Sequence, residues 1–298
     1  MRNPALKYYL GTSALVLLLL PTVGFLSGRW GHSAKVISLS NERELKINLD
    51  AGYADVTIAR GSAGEVINAS ASGSGISDLS NCVDYSIRDR VGYLDINTGC
   101  TGSEGEGHHK KRNVRLSDLK SEDWNLKFSD ALPIHFDIQL GFGHADLDFS
   151  GFAMKDLNLS TGASSVNLRF DEPNKYIIED VSIEAGLSKF TARNLCNANF
   201  RHLKFEGGVG EYRLDFGGKL NREADVDIQV GLGGLTVTIP ENMGAKIYYE
   251  KSWIAHLDIP SSFSEREDNT YYSDNYGHAD GNLNMRIEAG MGSVKIRR

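Results

Sequence analysis

Apolar and polar residues alternate over short stretches along most of the chain, and the alternation recurs around pairs of small residues. In ADVDIQVGLGGLTVTIPE, residues 224–241, apolar side chains occupy every second position on both sides of Gly231 and Gly233. A period of two predicts β-strands, because successive side chains of a strand point to opposite faces. The spacing across the glycines predicts a corner after which the second strand still faces the same core.

The same unit occurs seven times and reads apolar-x-apolar-x-x-Gly-x-small-x-apolar-x-apolar. Its register holds without an insertion inside any copy, which identifies a repeat architecture. We expect the glycine to supply an unusual backbone angle, and the small residue two positions later to let neighbouring coils approach closely. The structural repeat glycines are Gly52, Gly141, Gly162, Gly186, Gly208, Gly231 and Gly290.

Two architectures satisfy this unit, a two-residue hairpin with glycine first and a corner of a β-solenoid. The residue that follows the repeat glycine is mostly apolar, whereas an exposed hairpin tip should prefer Asn, Asp or Gly. The central glycines also lie 21 to 24 residues apart, which is a typical length for one coil of a repeat. The predicted fold is therefore all-β, a parallel right-handed β-solenoid.

The repeat predicts a single solenoid domain over residues 43–298, with insertions at 61–133 and 241–282. The second insertion is rich in aromatic residues, which could form a stacking surface for a sugar or a partner protein. The alternative is that they cover an exposed end of the core, as solenoid ends require. The possible binding surface comprises Trp253, Tyr271, Tyr272 and Tyr276.

Residues 1–30 predict a signal anchor or a signal peptide. Arg2 and Lys7 precede an uncharged apolar run over residues 10–26, which lies at the short limit for a spanning helix and at the long end for a signal-peptide core. Positive residues before the run keep the N-terminus in the cytoplasm. The remainder of the chain is therefore expected in the periplasm or at the cell surface, held to the cytoplasmic membrane by its N-terminus.

Three cysteines fit an oxidising compartment. Cys82 and Cys100 are close enough in sequence to form a disulfide in such a space. Cys196 stands apart and is expected to be a small buried apolar residue. No Cys/His cluster with zinc-ligand spacing occurs in the sequence, so neither a metal site nor a cofactor is predicted.

Charge excludes one class of partner and suggests a polar face. The net charge is −7 with both signs mixed along the chain, so no basic stripe for nucleic acid is present. The outward positions two residues before each repeat glycine form a partly acidic row, which predicts either a solvated face or a surface for a cation or a sugar. These positions are Asp50, Gln139, Ser160, Glu184, Glu206, Gln229 and Glu288.

The stretch LPIHFDIQLGFGHADLDFSGFAMKDLNLSTGASSVNLRF and the units after it are similar to the bacterial toastrack domains. That family includes proteins named putative adhesins and the C-terminal domains of Lia-type envelope-stress regulators. The resemblance implies a non-enzymatic interaction module in the cell envelope, which would bind an envelope protein or a glycan. It supplies no catalytic residues. The alternative is a carbohydrate-active enzyme or a glycan-binding protein on the same scaffold.

Overall fold

The computed structural model describes residues 30–74, 76–102, 121–250 and 254–298. The predicted N-terminal membrane segment and Trp253 lie outside these ranges. Within them, no helix has the length and apolar character needed to cross a membrane.

The described residues form sixteen strands in one continuous sheet. Short 3₁₀ turns occur at Thr98–Gly102 and Leu195–Ala198. The strands are β1 Trp30–Ser38, β2 Glu44–Arg60, β3 Glu65–Ser74, β4 Val83–Arg88, β5 Val91–Asn97, β6 Glu122–Phe128, β7 Ile134–Asp148, β8 Met154–Arg169, β9 Ile178–Arg193, β10 Phe200–Asp215, β11 Glu223–Thr238, β12 Gly244–Glu250, β13 Ala255–Asp258, β14 Phe263–Glu267, β15 Thr270–Ser273 and β16 Asn282–Arg297.

Each of the seven sequence units is one long strand, and these strands stack in parallel. The order is β2, β7, β8, β9, β10, β11 and β16, with equivalent positions of successive units side by side. Glu206 of β10, for example, pairs with Glu184 of β9 on one side and Gln229 of β11 on the other. The parallel pairing confirms the all-β solenoid and excludes the hairpin alternative.

The interior is filled by the apolar rows that the repeat predicts. At three and five positions before each repeat glycine, and at four and six after it, every side chain is at most 3 % exposed. Aromatic side chains of successive coils contact each other, as in Phe149 and Phe170, with ring centroids 6.0 Å apart, and Phe190 and Phe205, with centroids 5.4 Å apart. Burial of these rows in one cluster is the main stabilising term of the fold.

The second small position at each corner permits close approach of adjacent coils, as expected: a Cβ atom on Gly143 would lie 2.1 Å from the carbonyl oxygen of Ala54. A Cβ atom on Gly141 would lie 2.3 Å from the carbonyl oxygen of Gly52 in the adjacent coil, so the first glycine permits close approach. The positive φ angle occurs at the second position where that residue is glycine, at +135° in Gly143, +132° in Gly233 and +127° in Gly292. The expected assignment of the unusual angle to the first glycine is therefore wrong.

The insertion at 61–133 supplies a further coil that is split at the corner. β5 pairs in parallel with the first half of β2, and β6 pairs in parallel with the second half. β4 pairs with β5, β3 pairs with β6, and β1 pairs with the other edge of β3, all in antiparallel orientation. Cys82 and Cys100 form the disulfide expected from the sequence, with their Cα atoms 5.3 Å apart.

The insertion at 241–282 forms a second split coil at the other end of the stack. β12 pairs with the first half of β16 and β13 with its second half, both in parallel. The hairpin of β14 and β15 adds to the outer edge of β12. The C-terminal strand β16 thus lies inside the stack, between β11 and the split coil. Assignment of residues 43–298 to a single domain stays a prediction.

Candidate functional site: a polar groove on the outer sheet face

A groove of about 690 Å³ lies on the outer face of the C-terminal coils. Its floor consists of the outward side chains of β9, β10, β11, β16 and β12, in the half of each strand before the corner. Inward side chains of the same strands belong to the core, so strand alternation alone places these polar residues on the outside. Tyr276, in the turn between β15 and β16, forms part of the groove wall.

Two rows of side chains cross the floor of the groove in strand register. One row lies six positions before the repeat glycines, and the other lies four before them. In strand register, the first row comprises Asp180, His202, Asp225, Asn284 and Lys246, and the second comprises Ser182, Lys204, Asp227, Arg286 and Tyr248. Parallel stacking therefore concentrates both charge signs, an amide and a phenol on one surface.

A hydrogen-bonded network orders the polar groups at the centre of the groove. The Tyr276 hydroxyl donates to Oδ1 of Asn284 over 2.8 Å. The Asn284 amide nitrogen donates in turn to Glu223 Oε1 over 2.6 Å and to Asp225 Oδ1 over 3.2 Å. On the far side of Asp225, Oδ2 lies 3.4 Å from His202 Nδ1. One amide thus fixes a tyrosine and two carboxylates relative to each other.

Tyr276 remains a hydrogen-bond donor over the whole physiological pH range. Burial raises the pKa of its phenol above the ordinary value, and the nearby negative charge of Glu223 raises that pKa further. The ring packs edge-on against Tyr272, with centroids 5.4 Å apart. Tyr272 is itself nearly buried, and Lys246 lies 5.6 Å from its ring centre.

Cationic side chains line the groove beside the carboxylates. Lys204 Nζ lies 2.7 Å from Glu206 Oε1, and Arg286 is 2.7 Å from Glu250. The carboxylate of Glu206 raises the pKa of Lys204, so this amine stays protonated at neutral pH. Because acids and bases are interleaved, the groove presents many donors and acceptors without a strong net charge.

The solvent-exposed carboxylates in the groove are not arranged around a common point where a metal ion could bind. The side chain of Asp225 is 60 % exposed and that of His202 is 57 % exposed. Within the described ranges, no group of three or more His, Cys, Asp or Glu side chains is arranged to hold a metal ion. The arrangement is suited to hydrogen bonding with a ligand that carries several hydroxyl groups.

The predicted aromatic surface is only partly assembled in the groove. Tyr276 lines it and Tyr272 supports Tyr276 from behind, whereas Tyr271 is half-buried in β15. Tyr249 belongs to the core at this end of the stack, and Tyr271 packs against that core. Some aromatic residues of this insertion therefore line the groove, as a binding surface would require, whereas others cover the end of the core. Trp253 lies outside the described residues.

The predicted partly acidic row is a continuous ladder beside the corner. Its members pair in register from β2 to β16. Together with the repeat glycines it borders a shallow trough of about 590 Å³ that runs along the first coils. This ladder is distinct from the groove, whose rows lie two and four residues further from the corner.

Sequence reasoning missed the two rows that form the groove floor. A search for positions that carry the same residue type in every repeat finds only uniform rows. These two rows escape such a search because the residue type differs from one coil to the next. Tyr248 and Lys246 were also hidden, because β12 carries no repeat glycine. Extending the repeat register to positions four and six before the glycines would have found the other eight residues.

The described residues thus form a stack of parallel β-coils with a polar groove on its outer face. The family model described as the N-terminal domain of toast_rack, DUF2154, matches residues 27–193. The chain belongs to this toastrack family, as its repeat predicts. No curated protein matches the sequence.

Three solved structures match this chain over about 90% of its length with low sequence identity. A putative cell adhesion protein from Clostridium sporogenes has 20% identity and a TM-score of 0.43, over 90% of this chain and 99% of that one. A putative adhesin from Bacteroides fragilis has 12% identity and a TM-score of 0.31, over 89% and 97%. A putative adhesin from Parabacteroides distasonis has 9% identity and a TM-score of 0.27, over 90% and 98%.

Proposed function

We propose that the chain is a non-enzymatic, extracytoplasmic interaction module that binds a saccharide of the cell envelope or of a host surface in the groove. The observation that carries this proposal is the network in which Asn284 orders Tyr276, Glu223 and Asp225. Carboxylates accept hydrogen bonds from sugar hydroxyls, while amide, ammonium and guanidinium groups donate to them. A saccharide uses both kinds of group at once.

The shape and apolar content of the groove fit the same ligand class. Tyr248 is 41 % exposed on the floor and presents a ring face, which can pack against the apolar face of a pyranose. Strand register repeats the polar rows from coil to coil at about 4.8 Å, so an extended chain of sugars could follow the groove across several strands. A bare cation or a strongly anionic ligand would meet groups of the wrong sign along such a path.

The cellular location is part of the proposal. The disulfide between Cys82 and Cys100 supports an oxidising compartment. The apolar run at residues 10–26 supports export, and we infer that it anchors the chain to the cytoplasmic membrane. The toastrack resemblance suggests adhesion or envelope-stress sensing as the biological role, and saccharide binding would serve either role.

A glycan array tests the proposal directly. The full chain in mild detergent would be applied to an array of bacterial-envelope and host glycans, beside Asn284→Ala and a matched control, Asn158→Ala. Asn158 is an exposed asparagine of β8, four residues before its repeat glycine and outside the groove. We expect binding to one glycan class, at least tenfold weaker in Asn284→Ala and unchanged in Asn158→Ala.

Three outcomes would contradict the proposal. Binding that is equal in the two variants would place the ligand elsewhere on the molecule. An absence of glycan binding, together with specific capture of a membrane sensor protein, would favour the envelope-stress role without saccharide recognition. Release of reducing sugar ends from a bound glycan would support the carbohydrate-active enzyme instead.

A further inference from the structure

Large apolar side chains form an exposed row along the corner of the solenoid. Each residue directly follows a repeat glycine, and the side chains are 42 to 65 % exposed. This apolar ridge consists of Tyr53, Phe142, Leu187, Val209, Leu232 and Met291. The equivalent residue of β8 is the small, half-buried Ala163.

The ridge continues onto the split coil at the C-terminal end. Ala255 pairs with Gly292, so the preceding residue, Ile254, lies beside Met291 and is 43 % exposed. β13 has no repeat glycine, yet an apolar residue is present at the ridge position. The ridge therefore runs along one edge of the stack from β2 to the final coil.

From β2 to β10, a trough runs parallel to the ridge at an offset of one residue. Its floor is the row of repeat glycines, which have no side chains, and its far wall is the partly acidic ladder. Glycine is required there by the approach of successive coils, as Gly186 and Gly208 illustrate: a Cβ on either would lie 2.9 Å from the carbonyl oxygen of the preceding glycine. Ridge and trough share the same strand spacing because they belong to the same strands.

We propose that the ridge is the interface of a homodimer in which two solenoids lie side by side and parallel. A two-fold axis that runs along the corner, between ridge and trough, seats the ridge of each copy in the trough of the other. Such an isologous contact requires one surface to be complementary to itself. A two-fold axis perpendicular to the ridge would instead set ridge against ridge.

Charge on the two flanks favours the parallel axis over the perpendicular one. The ladder flank is acidic at Glu184 and Glu206, whereas the opposite flank, three residues after the repeat glycines, is mixed and carries Asp55, His144, Lys189 and Glu211. The parallel axis sets each acidic ladder against this mixed flank of the partner, with Glu184 at the height of Lys189 and Glu206 at the height of Glu211. The perpendicular axis would face the two acidic ladders. The acidic ladder also disfavours an anionic membrane surface as the occupant.

The area of the ridge is sufficient for a dimer contact. Seven large side chains, each about half exposed and presenting on the order of 100 Å², form a patch on the order of 700 Å². The largest apolar patch of a typical monomer is about 300–600 Å², while a standard interface buries about 800 Å² per partner. The glycine trough adds the remaining area.

The parallel arrangement also agrees with the position of the chain end. β1 lies at the β5/β6 end of the stack, and residues 1–29 precede it. A two-fold axis along the solenoid keeps both N-terminal ends on the same side. Two copies on one membrane can therefore form this contact without inverting either of them.

Disulfide cross-linking in membranes tests this geometry. Rotation about an axis along the ridge leaves each ridge residue at the height of its own counterpart, so Leu187→Cys should link to itself. We expect full-length Leu187→Cys to give a dimer band under mild oxidation, and Arg193→Cys to give none. Arg193 is exposed on the same strand, β9, beyond the corner. Equal cross-linking of both variants, or of neither, would overturn the proposal.

A mass measurement gives an independent readout. The full chain in mild detergent should have the protein mass of a dimer, and Leu187→Asp should halve that mass, since an aspartate would be desolvated in the trough. Leu187 is 65 % exposed, so this change leaves the core intact. A monomeric wild type would overturn the proposal, and a loss of vesicle association in Leu187→Asp without a mass change would identify a lipid surface as the occupant.

Discussion

Two small residues at each corner lie against the backbone of the preceding coil, and the second carries an additional constraint. A Cβ on Gly141, at the first position, would lie 2.3 Å from a backbone oxygen, and a Cβ on Gly143, at the second, would lie 2.1 Å from one. Gly143 also adopts a positive φ angle, which disfavours a side chain there in addition to the contact.

Gly141→Ala and Gly52→Ala separate the contact effect from glycine's general flexibility. A Cβ on Gly141 would lie 2.3 Å from a backbone oxygen, whereas no atom of the described residues lies within 4 Å of a Cβ on Gly52. Gly141→Ala should lower the free energy of unfolding by about 1–3 kcal/mol, and Gly52→Ala should change it little or raise it slightly. Urea unfolding measures both; equal losses would contradict the close approach.

The free cysteine should not react with thiol reagents in the folded protein. Cys196 is buried, and burial raises the pKa of its thiol to about 12. Because the thiolate is the reactive form, a thiol reagent at pH 8 should label nothing in the native protein and one thiol after unfolding in urea without a reductant. Labelling of the native protein at the rate of a free thiol would contradict this burial.

The strand register fixes which face of each element is inward, and adjacent residues test it. Leu214 is 1 % exposed in the core, while the neighbouring Arg213 has a side chain that is 51 % exposed. Leu214→Asp should lower the free energy of unfolding by about 3–5 kcal/mol, because it buries a charge, and Arg213→Asp should change it by less than about 1 kcal/mol. If the second variant were the more destabilised in thermal unfolding, the register would be wrong.

The split coil at the N-terminal end depends on its disulfide. The bond closes a loop between residues 18 apart in sequence, which corresponds to about 3 kcal/mol in the loop-entropy model. Cys82→Ser with Cys100→Ser should lower the free energy of unfolding by that order. Reductant should lower the stability of the wild type to the same level and leave the double variant unchanged. If reductant lowered the free energy of unfolding of the double variant as well, its effect would not come from this disulfide.

Sequence periodicity predicted the seven complete coils well, because burial imposes apolar residues at fixed positions of every coil. Leu214, Ile228 and their equivalents were identified as inward from spacing alone. The split coils were missed because β5, β6, β12 and β13 are short and carry no glycine motif. Their register is imposed by pairing with β2 and β16, and a pairing partner cannot be read from such short segments.

At the scale of the whole molecule, the solenoid separates stability from recognition. The inward rows are uniformly apolar, whereas the outward rows vary from coil to coil, so different surfaces can arise along one regular scaffold. The groove on the C-terminal coils and the apolar ridge along the corner are two such surfaces. Residues that hold the coils together, such as the repeat glycines, contribute to the trough but not to the groove.

The groove could be only partly predicted from sequence for a related reason. Tyr276 and Tyr272 were selected because the insertion that contains them is rich in aromatic residues. Asn284 and Asp225 were not selected, since each is unremarkable in its own strand and gains its role only from a partner 59 residues away. The groove is assembled from residues of several stacked coils, whereas the buried positions are specified within each repeat unit.

The central claim is that ligand recognition occurs in the groove, and a pair of matched tyrosines tests it most directly. Tyr248 in the groove and Tyr176 outside it are both 41 % exposed. Titration calorimetry with the glycan selected on the array should give at least tenfold weaker binding for Tyr248→Ala, equivalent to about 1.4 kcal/mol, and wild-type affinity for Tyr176→Ala. Wild-type affinity in Tyr248→Ala, or an equal loss in both variants, would contradict the account.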